Sequence, residues 1–323
     1  MGGGASSNNV SEEDMAYYSK LTSHVNSALV FIKPHANNEK VQTLVSETLT
    51  AKGFTIAAQG EISAEDIDSK KLIDNHYYSI ASKATLLEPK ELPVPQDKFQ
   101  EFFGISYADA LAEGSVYNAV QAAEYLGLGP VELETIWRKA KPKTIKFGGG
   151  FYAAKIEDIE DKKPIYVFNG FFMAMRGDFV VPGTSIHYYV VDWNPTESGC
   201  SWGQFRADVL GATDPSTSVE SSLRGLIMSR WEELGLGQQP STGQNGVHGS
   251  ASPLEGLAEK ANWLGTKLED DAFGKSLVAL GVPADTVISW TRDCQIEGVG
   301  SVFDHFEDTN VDDCYMKAKA INK

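Results

Sequence analysis

The pattern of apolar positions between Ala28 and Tyr77 constrains this chain most. Ala28-Leu29-Val30-Phe31-Ile32 is a compact apolar run that stops at Lys33-Pro34, which suits a central strand. Val41, Leu44, Val45, Thr48 and Leu49 then recur at helical spacing, and Gly53 supplies a stop. Phe54 to Ile62 reads as a second strand. Ser63-Ala64-Glu65-Asp66 resembles a capping box and opens another helix toward His76-Tyr77. A strand–helix–strand–helix start implies an α/β sandwich, with helices covering a sheet.

The middle is less regular. Residues 84 to 98 are rich in Pro and Glu and read as a loop. Val116 to Leu126 and Val131 to Lys139 look helical, with Pro130 at a first helical position. Gly148-Gly149-Gly150 reads as a turn between strands in preference to a phosphate cradle. Phe151 to Ile156, Ile165 to Met175 and Ser185 to Trp193 look like strands. From Ser201 the pattern is mostly helical. The tail from Asp270 holds about three short helices and is acidic between Glu307 and Asp313. There is no internal repeat.

A chain of 323 residues has room for one large domain or two ordinary ones. Its formal net charge of -16 makes it repel nucleic acid over most of its surface. A site for an anionic substrate must then be a local concentration of positive charge. A mean hydropathy of -0.24 fits a soluble protein, and no apolar run approaches the roughly 18–20 residues that span a bilayer. Cys200, Cys294 and Cys314 are widely spaced and form no metal-ligand pattern. They read as reduced thiols of a cytosolic-type compartment.

The N-terminus lacks the apolar core of a signal peptide. Met1-Gly2-Gly3-Gly4-Ala5-Ser6 matches an N-myristoylation signal at Gly2, and equally a flexible Gly/Ser tail. With no neighbouring Cys or basic cluster, one myristoyl chain gives only reversible membrane contact.

Of six histidines, His248 has the distinctive setting: Gly243-Gln244-Asn245-Gly246-Val247-His248-Gly249-Ser250-Ala251-Ser252. Flanking glycines let backbone approach a ligand closely. Ser252 and Pro253 suit the cap and first residue of a helix running to Leu264. Leu210-Gly211-Ala212-Thr213-Asp214-Pro215 offers a loop with a hydroxyl, and Ser222-Leu223-Arg224-Gly225 sets an Arg beside a Gly. Singly, each is an ordinary turn or helix start.

Their order is not ordinary. Phe31-Ile32-Lys33-Pro34, Lys52-Gly53-Phe54, His76-Tyr77, the Leu210–Pro215 loop, Arg224-Gly225 and Asn245-Gly246-Val247-His248-Gly249-Ser250 follow one another as in the nucleoside diphosphate kinase family, which this chain resembles. The spacings from Thr213 to Arg224 and from His248 to Glu259 are also similar. The resemblance covers 25–83 and 185–264, under half of the chain. It implies a ferredoxin-like α/β sandwich with an antiparallel sheet, interrupted by an insertion at 84–184. A flexible tail at 1–24 precedes it and a small helical extension at 265–323 follows. A shorter insertion at 226–240, with Trp231, Leu234 and Leu236, reads as a helix packing on the body.

The resemblance further implies that His248 takes the γ-phosphate of a nucleoside triphosphate as phosphohistidine and passes it to a nucleoside diphosphate. By the same carry-over, Glu259 orients the imidazole, and Lys33 and Tyr77 contact the transferring phosphate. Thr213 and Arg224 hold the outer phosphates, Asn245 bonds ribose or phosphate, and Ser250 supports the loop or the β-phosphate region. Mg²⁺ rides on the nucleotide phosphates, without a protein metal site. Departures accompany the match. His35 stands where an acidic residue is usual. Ala207 replaces a phosphate-binding Arg, and Arg206, one place earlier, would serve that phosphate through a small loop shift, or the contact is lost. Thr85 stands where an aromatic stacks the base, and Lys83 where an Arg is frequent.

Two readings follow. One is a cytoplasmic phosphotransferase of this kind. The other is a non-catalytic or weakly active binding protein on the same scaffold, at a membrane or a cytoskeletal assembly such as a cilium. A homo-oligomer or a larger protein assembly is compatible with either.

Overall fold

The computed structural model describes residues 23–148, 150–157, 159 and 162–322; Gly2 and its lipidation signal lie outside the described residues. The chain forms two compact units. The described residues of the first are 23–31, 38–60 and 188–322, and those of the second fall within 32–37 and 61–187.

The first unit holds most of four strands: β1 (Asn26–Ile32), β2 (Thr55–Ser63), β3 (Ser185–Trp193) and β4 (Val247–Gly249). Their order across the sheet is β2-β3-β1-β4. That is the strand order of a ferredoxin-like antiparallel sheet, the first and third strands being central. β1 is buried at every position but Ser27, as its apolar run requires, whereas the edge strand β2 is largely exposed.

Helix α1 (Glu39–Ala51) starts where the Asn38 side chain accepts the Val41 amide. It buries Val41, Leu44, Val45 and Leu49, one stripe of an amphipathic helix. Helix α2 (Leu223–Ser229) is capped by Ser222, and α3 (Pro253–Leu264) by Ser252, whose side chain accepts the Glu255 amide. In α3, a Cβ on Gly256 would collide with the Ser27 carbonyl oxygen, so glycine permits this close approach to β1. Residues 231–235 form turns in place of the expected helix. Leu234 and Leu236 are buried nonetheless, and the Leu234 carbonyl accepts from Asn38 Nδ2.

The C-terminal region adds four helices: α4 (Ala272–Ala279), α5 (Ala284–Trp290), α6 (Val302–Phe306) and α7 (Val311–Ile321). A two-stranded hairpin, Gln295–Ile296 with Gly300–Ser301, lies between α5 and α6. These helices are joined to the body of the first unit. Phe273, Leu277, Trp290, Phe306 and Tyr315 share one apolar cluster with Leu254 and Leu257 of α3. Burial of such side chains stabilises by about 1.5–3 kcal/mol each.

The second unit has its own four-stranded sheet. Its order is Val116–Tyr117, Ile165–Phe168, Phe151–Ile156, Thr144–Gly148; the first pair is parallel and the others antiparallel. Alternation along Ile165–Phe168 sends Ile165 and Val167 into one cluster and Tyr166 and Phe168 into another. Helices Ala119–Leu126, Pro130–Lys139 and Phe172–Phe179 bring Ala122, Leu133, Trp137 and Phe172 to the first cluster. Phe99 and Tyr107 belong to the second.

Two expected elements differ here. The strand from Ile165 ends at Phe168, because Asn169 takes a left-handed conformation (φ 46°) and turns the chain into a helix. Its side chain holds the turn: Oδ1 accepts the Tyr152 amide at 2.9 Å, and Nδ2 donates to the carbonyls of Ile80 and Gly150. The segment from Val116 begins as a strand, and Asn118 then starts the helix through a capping box with Gln121.

Candidate active site

His248 lies on β4, and Glu259 lies two turns into α3, buried on its inner side. The helix entry at Ser252-Pro253 brings them together: His248 Nε2 is 2.7 Å from Glu259 Oε1. The other carboxylate oxygen, Oε2, accepts the Ser250 hydroxyl at 2.5 Å. Ser250 Oγ in turn accepts the Leu29 amide of β1 at 2.9 Å. One carboxylate is thus fixed from both sides. A carboxylate at Nε2 favours the proton on that nitrogen and leaves the imidazole lone pair on Nδ1. The Phe31 ring stacks on the imidazole with centroids 4.6 Å apart and planes inclined by 26°. Trp263 lies behind Phe31, 5.2 Å between centroids. The His248 side chain retains 17% exposure and that of Glu259 8%, so the imidazole reaches solvent and its partner barely does.

A second group meets on the adjoining loops. Arg224 donates from Nη1 to the Gly211 carbonyl at 2.7 Å, and from Nε and Nη2 to the Val247 carbonyl. It therefore ties the Thr213 loop to the strand that carries His248. Asn245 is buried; its Nδ2 donates to the Thr213 carbonyl at 3.0 Å, and its Oδ1 has no hydrogen-bond partner among the described residues. A buried acceptor left open costs about 1–3 kcal/mol and is a feature in need of a partner. Thr213 itself is exposed. Gly211 and Gly246 adopt φ of 93° and 85°, conformations that L side chains rarely take.

Other candidates are engaged elsewhere. Arg206 Nη1 binds Glu307 at 2.6 Å and Asp308 at 2.8 Å, both from the C-terminal region. In the second unit, Lys83 Nζ donates to the Ser79 carbonyl and lies 5.9 Å from the centre of the Phe151 ring. Burial lowers its pKa. Thr85 donates its hydroxyl to the buried Asp74, which also pairs with Arg176. Lys33 precedes the short 3₁₀ turn Pro34–Ala36, and the Tyr77 ring meets that of His76 edge-on at 4.5 Å. Lys33, Tyr77 and Lys83 belong to the second unit, so their assignments rest on the sequence motif alone.

Three further residues shape the site. Phe31 stacks on His248. Trp202, fully buried, donates its indole N–H to the Ser250 carbonyl at 3.0 Å. Glu255 stands one turn before Glu259 on α3 and accepts the Ala251 amide at 3.0 Å. Burial, and then the neighbouring Glu259 carboxylate, push its pKa above the ordinary glutamate value. Its position four residues before Glu259 was the only sequence signal for it.

No family model matches the chain, and no curated protein does. Solved structures to which it is similar include three nucleoside diphosphate kinases, each at a TM-score of 0.36. The one from Encephalitozoon cuniculi is 14% identical, covering 75% of this chain and 90% of that one. The one from Aquifex aeolicus is 12% identical, covering 74% and 94%. The one from Pyrobaculum aerophilum is 16% identical, covering 76% and 98%. Likeness at this level assigns neither a family nor a function. No helix among the described residues is long and apolar enough to cross a membrane.

Proposed function

We propose that the chain is a nucleoside diphosphate kinase-like phosphotransferase with His248 as its nucleophile. The observation that carries this reading is the Ser250–Glu259–His248 chain of hydrogen bonds. A carboxylate held at Nε2 makes Nδ1 the more nucleophilic nitrogen and stabilises the charge the ring acquires on attack. In the first half-reaction the Nδ1–P bond forms and the γ-phosphorus–oxygen bond breaks, releasing a nucleoside diphosphate. In the second, a terminal oxygen of another nucleoside diphosphate attacks the phosphorus and the N–P bond breaks. The tautomer is unchanged over the full cycle, as a ping-pong exchange requires.

The open Asn245 Oδ1 supplies an acceptor for a ribose hydroxyl. Arg224 keeps the Thr213 loop near β4, which suits it to set the phosphate-binding loop. Ser250 acts on Glu259, and Arg206 and Lys83 are given no phosphate here. Mg²⁺ prefers hard oxygen ligands, whereas the Glu259 oxygens are engaged by His248 and Ser250. The ion therefore travels on the nucleotide phosphates and screens their charge.

The alternative is a binding protein that has left catalysis. The contact favouring it is Arg206 with Glu307 and Asp308, which occupies a cation that phosphate would use. Incubation with γ-labelled ATP and Mg²⁺ separates the two. The first reading requires an acid-labile, base-stable label on the wild type that His248→Ala abolishes. An unlabelled wild type, or equal label on both proteins, overturns it.

A further inference from the structure

Residues 307–310 connect α6 to α7, far along the chain from His248, yet they grip the corner that follows it. The Asp308 amide donates to the Ala251 carbonyl at 3.0 Å. Asn310 stands at the start of α7, but its side chain makes no cap bond to that helix. Its Oδ1 accepts instead the Trp202 amide at 2.8 Å and Asn26 Nδ2 at 3.0 Å. Asn26, at the head of β1, returns an Oδ1 bond to the Val311 amide at 2.8 Å. Trp202, placed from its backbone by Asn310, sends its indole N–H to the Ser250 carbonyl. Ser250 and Ala251 are therefore held through their two carbonyls by a tryptophan set by Asn310 and by the Asp308 amide. The Ser250 hydroxyl is the group that fixes Glu259. Asp308 holds φ 56°, a left-handed value costly for a non-glycine residue, and its carboxylate is tied to Arg206. A strained residue held by an ion pair, and a cap residue diverted from its own helix, both serve contacts made elsewhere.

We propose that Asn310, with the Asp308 amide, is the positioning element of the His248 site. It sets the Ser250–Ala251 corner, and through Ser250 the angle at which Glu259 meets the imidazole. The inference rests on the phosphohistidine reading for its catalytic consequence, and on the hydrogen bonds alone for its structural one. Arg206 acquires a part in it: the guanidinium holds the Glu307–Asp308 turn.

The test compares the full chain with Asn310→Ala, Asn310→Asp and Trp202→Phe. The readouts are the rate of His248 labelling by γ-labelled ATP, the KM for ATP, and the ¹⁵N shifts of the His248 ring. Asn310→Ala should slow labelling about tenfold or more, since small misplacements of reacting groups are costly. Its KM should stay within about twofold, as expected when ground-state binding is unaltered, and the ring nitrogen shifts should move. Asn310→Asp keeps an oxygen acceptor for both donors and should recover the wild-type shifts and rate. Trp202→Phe removes the indole N–H together with part of the ring that packs on Trp193 and Phe205; it should move the shifts in the same direction, and it stands in if Asn310→Ala does not fold. Unchanged ring shifts in Asn310→Ala, or in Trp202→Phe as its stand-in, overturn the proposal. Loss of KM and rate together without a shift overturns it as well. If the wild type takes no label, the phosphotransfer reading fails separately, and the ring shifts alone decide this one.

Discussion

Ser250 and Glu259 share a 2.5 Å hydrogen bond, hydroxyl to carboxylate, in the buried corner that carries His248. Charge-assisted bonds of this kind are stronger than neutral ones. Ser250→Ala removes the bond and also leaves the Leu29 amide of β1 without its acceptor. We expect a loss of about 1–3 kcal/mol in urea unfolding, and slower His248 labelling. A variant as stable as wild type would show that water replaces the hydroxyl.

The Glu255 carboxyl gives a pH signature. Its folded-state pKa is raised, by burial first and then by Glu259. The folded protein thus binds this proton more tightly than the unfolded chain does. The contribution is complete below the ordinary glutamate value and is lost as pH climbs from there through the raised one. Glu255→Gln removes that loss. Its melting temperature relative to wild type should rise steadily from acid to mildly alkaline pH. A difference that is flat with pH would refute the raised value.

Lys260 and Asp271 form a buried ion pair at 2.6 Å, with Lys260 also donating to Ser27 Oγ. Asp271 additionally caps α4 through the Gly274 amide. Asp271→Asn keeps an oxygen for the cap but leaves the ammonium without its counter-charge. Breaking such a pair costs about 3–5 kcal/mol. Chemical denaturation should show it; a loss under 1 kcal/mol, the scale of an exposed pair, would mean that the pair is solvated.

Gly2 yields a prediction of another kind, since it rests on sequence only. Protein made with a myristoyl transferase should float in part with liposomes, and Gly2→Ala should not. One acyl chain gives a weak partition constant, roughly 10⁴ M⁻¹. Equal flotation of both forms would remove the anchor.

The first sheet was legible because its signals are local. A five-residue apolar run, a helical stripe and a capped helix entry each specify one element without outside help. The His248–Glu259 pair was legible only through the family resemblance, whose motif carries the same spacing; the loop and cap by themselves singled out His248 and not its partner. The Arg206 ion pairs were not legible, because their partners lie 101 and 102 residues away and only tertiary packing brings them near. Asn169 was misread for an opposite reason. Its apolar neighbours continue on both sides, so an apolar run that reads as a buried strand conceals a turn held by side-chain hydrogen bonds to distant backbone. Trp202 gave no signal at all: a tryptophan that donates to the Ser250 carbonyl and one that only fills a core are the same letter.

The Asn26–Asn310 pair spans 284 residues of sequence. A chain emerging from the ribosome can form β1, α1 and even the strand bearing His248 while its corner still lacks the asparagine that orients it. Nascent forms would hold the histidine but not its alignment. Alignment of the His248 corner in this chain is therefore a late event, acquired when α7 docks and not when the histidine is made.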